Sequence, residues 1–268
     1  MRKGLMAVFA AAAFAVALFG SRLWAADAIT VGAFEYPPIY QDQADKGLSG
    51  DLVAAAFAAV GYDTEFQFFP VTRMVTFVAD GSVTCGIGGA VLFEPADIAP
   101  RVNVAAIVNY VTQVFLYDAR KIPGGLPFKT LDDVSKYRIG VLNGSGIMKV
   151  LEKNASLKLE PNTVHDGTAK QLQQGRVDLW AIVDLTGAMY MKRLFPAEAA
   201  NFEFSKYFNR GDVSLVFSKK ADPDGKLAAK FKVGLAAIKG NGTYMRIFAK
   251  YYGGRDAINK DALTDDMK

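Results

Sequence analysis

Cysteine and histidine are almost missing from this 268-residue chain, which has one of each, Cys85 and His165. A single cysteine excludes an intrachain disulfide, so the core must hold the fold by itself. One His and one Cys are too few donors for the usual structural or catalytic zinc sites. Any Ser-His-Asp or Cys-His mechanism would have to run through His165. That residue sits in Asn162-Thr163-Val164-His165-Asp166-Gly167, a polar setting that reads as a solvated loop. Cys85 lies in an apolar segment and reads as a small buried hydrophobe rather than a nucleophile. There is no P-loop. Gly86-Ile87-Gly88-Gly89 covers part of a dinucleotide fingerprint, but Val91 stands where its third glycine belongs and no acidic partner is suitably placed. No metal and no organic cofactor is implied.

A large charge of one sign is lacking too. The formal net charge is +4, and part of it belongs to the N-terminus. Arg2 and Lys3 precede an apolar run from Leu5 to Phe19, and Ser21 to Ala25 then ends in a small residue, with Ala26-Asp27-Ala28 as a second candidate. This is the order of a secretory signal peptide, assigned to residues 1–25, and its apolar run is shorter than the roughly 20 residues of a membrane span. No cysteine near the cleavage region suggests a lipid anchor. Removing Arg2, Lys3 and Arg22 leaves 28 basic and 27 acidic side chains, a net of +1. Such a balance gives no electrostatic reason to expect nucleic acid as a partner. No second long apolar run follows.

What remains alternates between two periodicities. Ile29 to Phe34 reads as a strand; Leu52, Val53, Ala56, Phe57 and Val60 then share one helical face, with Gly61 as the expected C-cap. Thr64 to Phe69, Thr72 to Ala79 and Val83 to Ile87 continue as strand, helix and strand, which is the spacing of parallel βαβ units. Pro123-Gly124-Gly125-Leu126-Pro127 interrupts the pattern as a loop. Thr130 can cap a short helix with Asp133, Tyr137 to Leu142 is a strand, and Asn143-Gly144-Ser145-Gly146 opens a helix. Lys158 to Pro161, a helix from Thr168 to Gln174, and the strand Val177 to Val183 repeat the unit. Val213 to Ser218 is a last strand. Two striped helices follow, carrying Leu227, Phe231, Leu235 and Ile238, then Tyr244, Ile247, Phe248 and Tyr251. The chain is thus α/β, in two similar halves.

Several stretches in order resemble family 3 of the bacterial extracellular solute-binding proteins. They are Val31-Gly32 with Glu35-Tyr36-Pro37-Pro38, Gly47 to Val53 with Val60-Gly61-Tyr62, Leu131-Asp132-Asp133, Ile139 to Ser145, Leu172 to Asp178, and Asn241 to Tyr244 with Tyr251-Tyr252-Gly253. The resemblance implies two Rossmann-like lobes joined by two crossing strands, with the ligand cleft between them, the type II periplasmic binding fold. It places lobe 1 at residues 26–110 plus 212–268 and lobe 2 at residues 111–211. It also implies a periplasmic monomer without enzymatic activity that captures a small polar solute and delivers it to the membrane permease of an ABC importer. A sensory or assembly component that signals to a protein partner remains open, as does a cyclohexadienyl dehydratase-like enzyme, for which Glu35 and Asp184 form the one acid/base pair available.

Residue by residue, the resemblance makes Tyr36 the aromatic that packs on the ligand, Gly144 and Ser145 the second-lobe contact turn within Asn143–Gly146, and Asp184 the acid that holds an ammonium group. One departure stands out. Amino-acid binders carry serines and then Thr-x-x-Arg after the third strand, the arginine clamping the ligand carboxylate. Here the stretch reads Gly88-Gly89-Ala90-Val91-Leu92-Phe93-Glu94-Pro95-Ala96, with no serine or arginine. Desolvating a carboxylate without that partner costs several kcal/mol, so a standard α-amino acid is disfavoured. Arg73, in Pro70-Val71-Thr72-Arg73, is the expected substitute cation, and Gly88, Gly89, Ala90 and Phe93 are expected to line the cleft.

Overall fold

The computed structural model describes residues 28–268; the expected signal peptide lies outside the described residues. No described helix is long and apolar enough to cross a membrane. The chain runs β1 (Ile29–Ala33), α1 (Gly47–Ala58), β2 (Thr64–Phe68), α2 (Val71–Asp80), β3 (Cys85–Gly88), β4 (Val102–Asp118), β5 (Arg138–Leu142), α3 (Gly146–Leu151), β6 (Lys158–Asn162), α4 (His165–Gln173), β7 (Leu179–Val183), α5 (Asp184–Leu194), β8 (Phe202–Phe204), β9 (Asn209–Ser218), α6 (Lys226–Gly240) and α7 (Thr243–Tyr252). The strand order is β2-β1-β3-β9-β4-β7-β5-β6, with β8 on β4. At each end the strands are parallel, β1 with β2 and β3, and β5 with β6 and β7. The long antiparallel pair β4 and β9 joins the two ends.

These elements follow from local chemistry. Helix α1 begins five residues before the first residue of its apolar stripe, Leu52, because the carbonyls of Pro38 and Ile39 accept the N–H groups of Leu48 and Ser49 in its first turn. Those bonds also tie the loop carrying Tyr36 to α1. The helix closes at Ala59, and Gly61 follows in the left-handed conformation (φ 85°). Thr130 and Asp133 form the expected reciprocal capping box. Helix α6 packs on α1 with Phe57 and Phe231 ring centroids 5.1 Å apart. At Gly234 any Cβ would fall 1.9 Å from the Ala56 carbonyl oxygen, so only glycine lets these helices approach so closely. Cys85 is fully buried, which pushes its thiol pKa up and suits the inert role read from sequence.

Two strands escape the periodicity. From Val111 to Asp118 every residue of β4 is buried, Thr112, Gln113 and Asp118 included, so both faces are covered and no polar-apolar alternation marks the strand. The three-residue β8 is too short to show a period.

After α7 the tail crosses the hinge strands. The Arg210 guanidinium on β9 donates to the carbonyls of Asp261 (2.7 Å) and Leu263 (2.6 Å), pairs with Asp265 (3.0 Å), and stacks on Tyr110 of β4 at 3.5 Å. Asn259 donates through Nδ2 to Thr112 of β4 and to Asp184, both at 3.0 Å.

Candidate functional site

The site is assembled where four kinds of segment converge: the loop after β1, the 3-10 turn Ala90–Phe93 after β3, the hinge strands, and the start of α3. Between them lies an inner cavity of about 190 Å³. Phe34, Tyr36, Ile39 and Tyr40 come from the β1 loop, Gly89, Val91 and Leu92 from the turn, Val111, Gln113 and Asn209 to Val213 from the hinge, and Gly146, Ile147, Val150 and Val183 from the far lobe. Most of this wall is aliphatic or aromatic, with a few fixed polar groups, which is the composition of a small-molecule pocket.

Its polar groups come from the hinge strands and the Tyr40 loop. Asp212 accepts the Ala90 N–H at 2.9 Å and the Ser214 hydroxyl at 2.6 Å, both on Oδ2. Gln113 accepts the Asn209 amide on Oε1 at 3.0 Å and is held nearly buried. Burial raises the Tyr40 hydroxyl pKa, and the nearby Asp212 carboxylate raises it further. Arg210 contributes to the wall, but its guanidinium is taken up by the C-terminal tail.

A second, outer cavity of about 1120 Å³ lies on the other side of Phe34 and is lined by Phe68, Phe69, Asn143, Gly144, His165 and Tyr190 among others. The lobes meet between the two cavities. Tyr36 contacts His165 edge to face, centroids 4.4 Å apart, and His165 continues onto Tyr190 (5.3 Å) and Trp180 (5.9 Å). His165 is therefore not a solvated loop residue. It is the first residue of α4 and is 4% exposed, because rings from both lobes cover it. Burial drives its pKa down to about 3, against a smaller opposing pull from Asp166. Neither of its ring nitrogens, nor the Tyr36 hydroxyl, nor Trp180 Nε1 has a hydrogen-bond partner among the described residues. Burial raises the Tyr36 pKa strongly.

The residues singled out from sequence are dispersed by the structure. Tyr36, Gly89 and Gly146 line the inner cavity, and Asn143 and Gly144 line the outer one. Gly88 faces Leu92 and Phe34, which fill the space beside it. The Ala90 N–H is used by Asp212. Phe93 is 2% exposed in the core, and Arg73 is exposed on the first turn of α2; neither lines a cavity. The Ser145 hydroxyl caps α3 by accepting the Met148 N–H at 3.2 Å, at 1% exposure. Asp184 lines neither cavity: Oδ2 accepts from Thr112 (2.5 Å) and Asn259 (3.0 Å), and Oδ1 takes the Leu185 N–H (2.7 Å). Glu35 borders the outer cavity and accepts the Asp42 N–H at 2.8 Å, so Glu35 and Asp184 share no cavity. Among the described residues no group of three or more His, Cys, Asp and Glu is placed to hold a metal. The hinge residues Gln113 and Asp212 carry the site's polar chemistry and are absent from the sequence reading; their one signal is that they are polar residues set within largely apolar strands.

Two α/β lobes joined by crossed strands, with a cavity at the crossing, define the fold of the type II periplasmic binding proteins, and the chain has that fold. A histidine kinase sensor domain with similarity to periplasmic binding proteins is 20% identical over 85% of this chain and 97% of its own, with a TM-score of 0.69. The arginine-, lysine-, histidine-binding protein ArtJ of Geobacillus stearothermophilus is 21% identical over 85% and 96% respectively, with a TM-score of 0.66. The GluR0 ligand-binding core in complex with L-glutamate is 15% identical over 84% and 98%, with a TM-score of 0.70. No protein-family model and no curated protein matches the sequence. Identities this low establish the fold, while the ligand has to be argued from the site.

Proposed function

We propose that this chain is an exported, periplasmic solute-binding protein without enzymatic activity, and that it captures a small solute in the inner cavity and hands it to the permease of an ABC importer. The observation that carries this reading is the cavity at the strand crossing, walled by both lobes and supplied with a few fixed polar groups. In this reading residues 26–110 with 212–268 move against residues 111–211, and Tyr36, Gly89 and Gly146 meet the solute together with Gln113 and Asp212. Solute that touches both lobes stabilises the closed form, which is the state a partner recognises. Solute-binding neighbours such as ArtJ support the capture role. The sensor-domain neighbour supports a second reading, in which the same closure is reported to a signalling protein instead.

The test is native mass spectrometry of the exported form as purified, then thermal shifts and small-angle scattering against a solute panel. Solute at about 1,000 times its dissociation constant stabilises the fold by roughly 4 kcal/mol. A retained or stabilising solute that also shrinks the radius of gyration is the expected result; no binding and no change of shape across the panel overturns it. Which partner the closed form engages is decided by pull-down with the permease or with a sensor kinase.

A further inference from the structure

We propose that the inner cavity selects a small organic cation, a primary ammonium on a short aliphatic body, and rejects carboxylates and zwitterionic amino acids. This rests on the solute-binding reading and names the solute class of that same cavity. The counter-charge is Asp212 on β9. Its Oδ2 is saturated by the Ala90 N–H and the Ser214 hydroxyl, whereas Oδ1 has no hydrogen-bond partner among the described residues. The two bonds fix the carboxylate in place, leaving one oxygen free to receive a charged N–H donor from a molecule in the cavity.

The rest of the wall agrees with this sign of charge. The one cationic residue that lines the inner cavity is Arg210, and its guanidinium is spent on Asp261, Leu263 and Asp265 and on the Tyr110 ring. A ligand carboxylate would therefore enter a pocket whose fixed charge is a carboxylate, with no cation turned toward it. The backbone Ala90 N–H beside the acid is already engaged by it. Gln113 Nε2 makes no hydrogen bond among the described residues, so a hydroxyl or carbonyl on the ligand can be accommodated beside the ammonium. Val91, Leu92, Val111, Ile147, Val150 and Val183 make much of the remaining surface apolar, which suits a short methylene chain, while the neutral Tyr36, Tyr40 and Asn209 side chains add polarity without charge. The resemblance placed the ammonium at Asp184; the structure uses that side chain to hold the hinge and the tail, and Asp212 stands in the cavity in its place.

The experiment is isothermal titration of the exported protein with n-butylamine, putrescine and ethanolamine, each beside its N-acetyl derivative, and with butyrate and α-aminobutyrate as size-matched anion and zwitterion. The expected result is that at least one amine binds, that its N-acetyl derivative and the two carboxylates bind on the order of a hundred-fold more weakly, and that Asp212→Asn removes most of the amine affinity. The wild-type contrast between amine and N-acetyl amine reads the charge preference even if the variant misfolds. Binding of butyrate or α-aminobutyrate as tight as any amine, or unchanged amine affinity in a folded Asp212→Asn protein, overturns the cation assignment. If a neutral or anionic solute binds and Val150→Trp abolishes it, the receptor reading survives and the cation assignment falls. If nothing binds and scattering shows no closure, both fall.

Discussion

The two cavities of this cleft differ in what their walls are made of. The inner one is small and takes its charged and amide groups from the hinge strands β4 and β9, which are fixed by sheet pairing and the C-terminal tail. The outer one is several times larger and is bounded by rings, loop residues and the first turns of helices. Between them the Tyr36–His165 contact closes the lobes without a single hydrogen bond to either imidazole nitrogen. The two sides thus differ in chemistry: fixed hydrogen-bonding groups line the inner cavity, and apolar ring contact joins the lobes beside it.

The sharpest way to break this division is to fill one cavity and spare the other. Val150→Trp is expected to lower solute affinity at least about a hundred-fold while leaving the melting temperature close to wild type, whereas Phe69→Ala at the outer cavity should change affinity by about three-fold or less; titration calorimetry on both variants decides. Equal losses would merge the two cavities into one site.

The next effect concerns the ring contact. The closed fold holds His165 neutral, with a pKa of about 3 against about 6.5 for an exposed imidazole. The unfolded or opened chain therefore binds the extra proton, so this stability is complete above about pH 6.5 and is lost as pH falls toward 3, at up to about 1.4 kcal/mol per pH unit. Neighbouring Asp166, itself paired with Arg193, opposes the shift slightly. Chemical denaturation between pH 4 and 7 should show this slope, and His165→Phe should flatten it; an unchanged slope in the variant would assign the pH dependence elsewhere.

A smaller change is expected at the tail. Asn259→Ala removes donors to Thr112 and Asp184 and should cost about 1–2 kcal/mol, seen as a melting temperature lower by several degrees. The smallest effect is at Arg73, exposed and outside both cavities: Arg73→Ala should leave affinity within about two-fold. A larger loss would bring the outer rim into the binding site.

How much of this was readable beforehand depends on whether a residue's role is local. The short strands and helices of each lobe announce themselves through period and turn residues, as with Thr130 and Asp133 or Gly61. Tyr36, Gly89 and Gly146 could be placed because they sit in loops after strands, where the fold puts a cleft. Asp212 could not, because its neighbour Arg210 suggests an ion pair and only the tail's capture of that guanidinium leaves the acid to the cavity. His165 misleads for the same reason. Its sequence neighbours are polar, and its burial comes from Tyr36, Trp180 and Tyr190, which lie far away along the chain. Asp184 has the expected position at the end of β7, but Thr112 and Asn259 turn its carboxylate to structural use.

The close approach of α6 to α1 at Gly234 and Ala56 joins segments from opposite ends of the chain, with the whole far lobe made in between. The far lobe, built from β5, β6, β7 and the helices between them, is continuous in sequence and can close its local contacts early. The first lobe must hold Phe57 uncovered until Phe231 arrives, so its completion carries the loop-closure cost of about two thirds of the chain. Refolding should therefore run in two stages, with the middle of the sequence becoming protected from hydrogen exchange before its beginning.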